Sequence, residues 1–257
     1  MKAHFADNYL INPRHPLTVH LVGAGGTGSQ VLNALARIDY ALFKLQHPGL
    51  QVTVYDDDIV TEANIGRQLF CPCDVGQDKA SVLVSRVNSF FGLNWESLCA
   101  QYPQEQETAN IVITCVDNVK SRIAIGKHLE KNKKHSSYGC YDQSQSLYWL
   151  DFGNQRDRGQ VILGSIGEIE QPKKSKYETV SSLPTVDKFF DLTQVDEAES
   201  GPSCSLAEAL QKQDLFINST LAQLGCALLW KLITEGSITT NGLYLNLSTM
   251  KVNPIKL

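Results

Sequence analysis

Asp56, Asn64, Arg67, Gln68 and Lys79 fall in one short stretch of the chain, just downstream of a glycine-rich turn. Residues of these types can hold a nucleoside polyphosphate. Asp56 ends a β-branched run, Gln51 to Tyr55, where a carboxylate can accept both ribose hydroxyls. A solvated acidic turn is the other reading, and it is the one preferred for Asp57. Arg67 offers a planar, permanently charged guanidinium that grips phosphate oxygens at two points. Lys79 follows Gly76-Gln77-Asp78 and opens an amphipathic helix through Leu83, Val87 and Phe91, so its ammonium could reach the same phosphates. An NAD-dependent oxidoreductase would share the glycine turn and the acid, but has no standing need for the arginine and lysine.

These residues need a scaffold, and the flanking pattern supplies one. Thr18 to Val22 reads as a buried strand, and Gly23, Gly25 and Gly28 fit G-x-G-x-x-G between it and a helix. That helix carries Val31, Leu32, Leu35 and Ile38 on one stripe, as a helix covering a sheet does. Its free N-terminal N–H groups suit a phosphate. Ile111 to Val116 reads as a central parallel strand ending in Asp117-Asn118, with a helix expected from Ser121. At the carboxyl end of such a strand Asp117 can help hold Mg²⁺, or Asp117 and Asn118 can serve as plain turn and cap residues. The fold implied is α/β: a Rossmann-like, doubly wound, mostly parallel sheet with helices on both faces and antiparallel strands at the C-terminal end.

In order and spacing these blocks resemble the ThiF/MoeB/HesA-type, ubiquitin-activating-enzyme-like adenylyltransferases. The pattern G-x-G-G-x-G stands at Gly23 to Gly28, D-x-D-x-V-x-x-x-N-[LI]-x-R-Q at Asp56 to Gln68, G-x-x-K at Gly76 to Lys79, and D-N at Asp117-Asn118. The resemblance covers residues 17–145 best. FFGLNWE and PSCSLAEALQKQDLFINSTLAQLG further resemble the ThiF proteins of PRTRC systems. The resemblance implies that MgATP binds at the glycine turn and that the C-terminal carboxylate of a small partner attacks the α-phosphorus, giving an acyl-adenylate and pyrophosphate. The implied partner is a ubiquitin-like or sulfur-carrier protein with a glycine C-terminus. It also adds Gly26 and Asp58 to the nucleotide site, gives Asp56 the ribose, gives Asn64, Arg67, Gln68 and Lys79 the phosphates, and gives Asp117 the metal. A homodimer is implied as well. Arg14 precedes the first of these strands, where relatives carry an arginine that reaches across the dimer, but its Asn-Pro-Arg-His-Pro setting does not match theirs. A non-catalytic nucleotide-binding interaction module is the remaining alternative, and the intact Asp56, Arg67, Lys79 and Asp117 argue against it.

At 257 residues the chain suits a single domain, 1–257, with a nucleotide-binding core at 17–145, a mobile crossover at 167–203 and closing helices and strands at 204–257. The net charge of −4 gives no broad basic field for nucleic acid, and the longest uncharged stretch near the C-terminus, Leu215 to Trp230, is too short and too polar to span a bilayer. Seven cysteines without a regular framework suit a reducing cytoplasm. Cys71-Pro72-Cys73 is C-x-C rather than the paired C-x-x-C of zinc-holding relatives, so no zinc is expected. Cys115 and Cys226 fall on apolar faces and read as core. Cys204 stands just before a capping box, Ser205 to Glu208, where a helix start favours thiolate. In parts of the family a cysteine of this region accepts the acyl group, which makes Cys204 the candidate acceptor, and Cys140 the next; a half-buried loop cysteine is the alternative.

Overall fold

Strands β2 (Leu17–Val22), β3 (Leu50–Tyr55), β5 (Ile111–Thr114) and β6 (Tyr148–Asn154) form the parallel centre of one large sheet. The computed structural model describes residues 1–105, 107–133, 145–192 and 213–257. On one side β4 (Glu96–Leu98) extends the parallel run. On the other, β7 (Arg158–Ser165), β10 (Thr240–Asn246) and β11 (Lys251–Lys256) continue it antiparallel, giving the order β11-β10-β7-β6-β5-β2-β3-β4. The sheet is therefore mostly parallel with an antiparallel C-terminal edge, as the sequence pattern implies.

Alternation along the strands sends side chains to two cores. Val19, Leu21, Ile111, Ile113 and Leu150 face α2 (Gly26–Lys44), α3 (Lys79–Phe91) and α6 (Ile217–Glu235). Val22, Val112 and Trp149 face α4 (Val119–Lys131) and α5 (Val186–Phe189). The α2 stripe of Val31, Leu32, Leu35 and Ile38 is buried, each such side chain contributing about 1.5–3 kcal/mol. Helix α4 begins two residues before Ser121, because Asn118 is its cap: the Asn118 side chain accepts the Ser121 N–H at 2.8 Å.

A small second sheet, unsuspected from the sequence, joins β8 (Glu178–Thr179), β1 (Lys2–Phe5) and β9 (Ser237–Ile238) from three distant parts of the chain; α1 (Asn8–Ile11) follows β1. It ties down the stretch expected to be a mobile crossover, which is described as far as Leu192. Val180 donates to the Ala3 carbonyl and Ile169 to that of Ser181, while Phe189 and Phe190 pack beside α4 and Leu192 is buried.

His20, in the middle of β2, is 9% exposed and stacks edge-on with Tyr55 and Tyr102. Burial, and then the neighbouring His128, push its pKa down to about 4. The folded state thus disfavours the imidazolium that the unfolded chain accepts, so the contribution is full above the unfolded value and is lost as pH falls toward the folded one. We expect urea stability to drop between about pH 6.5 and 4, by up to about 3 kcal/mol. In His20→Gln the slope over that window should flatten; an unchanged slope would assign it to other groups.

Candidate functional site

Strand order reverses between β2 and β5, and the carboxyl ends of such neighbours leave a crevice where ligands bind in open α/β sheets. A cavity of about 550 Å³ lies there. Gly23, Gly25, Gly26, Asp56, Asp58, Arg67, Gln68, Lys79 and Asp117 all line it. Gly23 leaves β2 at φ +92°, a left-handed conformation that only glycine adopts without strain, and a Cβ there would press on the Cys115 carbonyl. Gly28 lies behind the turn, where a Cβ would overlap the Gly23 carbonyl oxygen, so its role is close packing. Gly25 is the N-cap of α2 and makes no side-chain cap hydrogen bond; with Gly25, Gly26 and Thr27 lining the cavity, this helix start suits an anion.

Asp56 is held by two backbone donors: Ala24 N–H reaches Oδ2 at 2.5 Å and Asp58 N–H reaches Oδ1 at 3.0 Å. Burial raises its pKa, against the pull of these hydrogen bonds and of Lys79. Lys79 is buried and donates to the exposed Asp58 carboxylate at 2.7 Å. Arg67 donates from Nη1 to Gln213 Oε1 at 2.8 Å. Among the described residues its Nε and the Gln68 Oε1 are buried with no hydrogen-bond partner, and burial lowers the Arg67 pKa. Buried polar atoms of this kind are costly and call for a partner that arrives from the cavity. Asp117 is exposed at the rim, where its Oδ1 accepts from Asn118 Nδ2 at 3.4 Å.

Asn64 stands apart from the lining. It is buried, and its Oδ1 accepts from the Thr61 N–H and hydroxyl, shaping the turn that presents Arg67 and Gln68. Cys115 packs against the core, as expected, and burial pushes its thiol pKa well up; at the end of β5 the residue also lines the cavity. Cys226 is buried in α6. Arg14 is exposed at the amino end of β2, the end away from the cavity. Cys204, its capping box and Cys140 lie outside the described residues.

The far wall is one that sequence spacing did not reveal. The Asn218 carboxamide, 2% exposed in the first turn of α6, accepts from Thr27 Oγ1 at 2.9 Å and Asn154 Nδ2 at 2.5 Å. It donates at 3.0 Å to the same Gln213 Oε1 that holds Arg67. A chain of side chains thus links the glycine-turn helix, the end of β6 and the last helix to the cavity arginine. Its only signal in the sequence is a pair of carboxamides at the start of a long apolar segment.

A sequence model of the ThiF family matches residues 15–253. The NEDD8-activating enzyme E1 catalytic subunit of Saccharomyces cerevisiae is 28% identical over 147 residues, which are 55% of this chain and 45% of that one. Among solved structures, MccB of E. coli superposes with a TM-score of 0.61 at 16% identity, covering 96% of this chain and 63% of MccB. MccB with AMPCPP and MccA gives 0.57 at 15% identity, over 93% and 63%. PaaA gives 0.59 at 13% identity, over 93% and 64%. The chain thus spans under half of the yeast relative and under two thirds of MccB.

Proposed function

This chain belongs to the ThiF family, and on that premise we propose that it adenylates the C-terminal carboxylate of a small ubiquitin-like or sulfur-carrier protein, within the PRTRC-type branch. The observation that carries the reading is the convergence of Asp56, Arg67, Gln68 and Lys79 on one cavity beside a helix start with no side-chain cap. Asp56 takes the ribose hydroxyls, and the α2 N-terminus with Arg67, Gln68 and Lys79 takes the phosphates. Arg67 leaves Gln213 or shares it, and Lys79 turns from Asp58 to the incoming anion. An attacking carboxylate is already ionised near neutral pH, so no protein base is required. What the site supplies is alignment for in-line attack on the α-phosphorus and charge stabilisation as pyrophosphate leaves. The exposed Asp117 carboxylate, which has no ion-pair partner among the described residues, fits a hard cation, and Mg²⁺ there would neutralise phosphate charge. The MccB structure that holds AMPCPP together with MccA, a neighbour in fold, supports this reading.

The test is ATP–pyrophosphate exchange dependent on a small protein ending in Gly-Gly, set against NADH absorbance with candidate alcohols. Exchange without partner dependence, or nucleotide-dependent redox turnover, would overturn the proposal. We further propose a homodimer as the working unit, checked by light scattering, and Cys204 as acyl acceptor. A reductant-sensitive adduct with the partner that is lost in Cys204→Ala is the result expected; an adduct that survives the substitution moves the role elsewhere.

Asn218→Ala should weaken ATP binding about tenfold or more, because each buried group left without its partner costs on the order of 1–3 kcal/mol. Calorimetric titration with ATP and with adenosine separates the effect. Loss for ATP with adenosine binding intact places the network at the phosphates; equal loss for both would make it merely structural.

A further inference from the structure

Among the described residues, one group outside the cavity brings nucleophilic and titratable side chains together: Cys71, Cys73 and Asp74, on the turn between Gln68 and Lys79. Pro72 opens that turn, and the two sulfurs lie 3.0 Å apart, in direct contact. Such a set suggests a metal site, but its anionic centre already has a cation. Arg86 Nη2 lies 2.5 Å from both Asp74 oxygens and 3.1 Å from Cys71 Sγ, while its Nη1 donates to the Leu69 carbonyl at 2.9 Å. Asp74 Oδ2 also accepts the Cys71 N–H at 2.8 Å. A divalent ion would have to displace a guanidinium from a carboxylate that is itself part of the turn.

The sulfurs remain available to each other, and they are not equivalent. Cys73 is exposed. Cys71 is half-buried, and its thiol donates to Asp74 Oδ2 at 3.2 Å. Hydrogen bonding to Cys73, and then to Asp74, raises the Cys71 pKa above its ordinary value, against the opposing pull of Arg86.

We propose that Cys71 and Cys73 form a reversible dithiol–disulfide centre, with the exposed Cys73 as the attacking sulfur and the adjacent Cys71 as the resolving one. The oxidant is a low-molecular-weight disulfide. The Cys73 thiolate attacks one of its sulfurs, the S–S bond breaks, and one thiolate leaves, giving a mixed disulfide on Cys73. Cys71 then loses its proton to solvent, with Arg86 beside the sulfur as charge develops, and attacks Cys73 Sγ; the second small thiolate leaves. The pair gives up two electrons and the small disulfide is reduced to two thiols. Cys99, exposed but paired only with Asp78, has no such neighbour among the described residues.

The sequence offers a clean readout. Trypsin cleavage after Arg67 and Lys79 releases the peptide 68–79, which contains Cys71 and Cys73 and no other cysteine. After incubation of the folded protein with oxidised glutathione, then alkylation, this peptide should carry no alkyl group and weigh two hydrogens less than its free-thiol form; dithiothreitol should restore both alkylation sites. In Cys71→Ser the glutathione adduct should stay trapped on Cys73, whereas in Cys73→Ser residue 71 should be alkylated without an adduct. Full alkylation of 68–79 in the oxidised wild type overturns the proposal. So does a preferential adduct on Cys71 in Cys73→Ser. Stoichiometric zinc that is retained by the wild type, lost in both variants and protective against oxidation would replace it with a metal site.

Discussion

Arg67→Ala and Lys79→Ala should each lower partner-dependent ATP–pyrophosphate exchange by on the order of 10²-fold or more, with the fold intact. Both side chains line the cavity, and neither pays for itself in the unliganded protein. The Arg67 Nε is buried without a partner among the described residues, and burial disfavours its charged form. Removing the guanidinium therefore relieves a desolvation cost at the expense of one hydrogen bond to Gln213. The Lys79 ion pair joins a buried ammonium to an exposed carboxylate, so water screens the attraction at one end while burial strips the ammonium of its own hydration. A buried cation of little use to the resting fold is explained if an anion arrives to use it. Arg67→Lys should not restore activity, because a point charge cannot replace the bidentate fork. Undiminished exchange in either alanine variant would remove these residues from the proposed chemistry.

Half of the cavity was legible because its residues follow one another along the chain. The ends of β2, β3 and β5 and the start of α3 meet at one edge of a parallel sheet, so chain order brings the glycine turn, Asp56, Arg67, Lys79 and Asp117 to the same cavity. The other half comes from elements joined by tertiary pairing. Asn154 leaves β6 where it turns into the antiparallel β7, and Asn218 enters with α6; neither is charged nor set in a spaced motif. The small sheet of β1, β8 and β9 escaped for the same reason, since two- to four-residue strands carry no period of their own. Helix α4 was expected from Ser121 because apolar periodicity is weak there; the true start is fixed by the Asn118 cap, one of the two readings that residue allowed.

The largest stability effect should come from a pair that no motif marks. Arg122 and Asp151 are an ion pair at 2.9 Å, 10% and 1% exposed at their side chains. The Asp151 Oδ1 also accepts the Thr114 hydroxyl, whereas its Oδ2 has no partner among the described residues. Arg122→Met would leave that carboxylate buried and uncompensated, and we expect a loss of about 3–5 kcal/mol, read from the urea midpoint. Adding Asp151→Asn removes the stranded charge while keeping an acceptor for Thr114, so most of the stability should return. Nucleotide affinity should not return with it. Arg122 Nη2 also donates to the Val116 carbonyl at 2.7 Å and the Phe152 carbonyl at 2.9 Å, which ties the ends of β5 and β6 together just where Asp117 and Asn154 reach the cavity. Methionine cannot make those bonds. If the double variant regains both its urea midpoint and its full affinity for ATP, the guanidinium serves only its partner, and the cavity edge is held by the sheet alone.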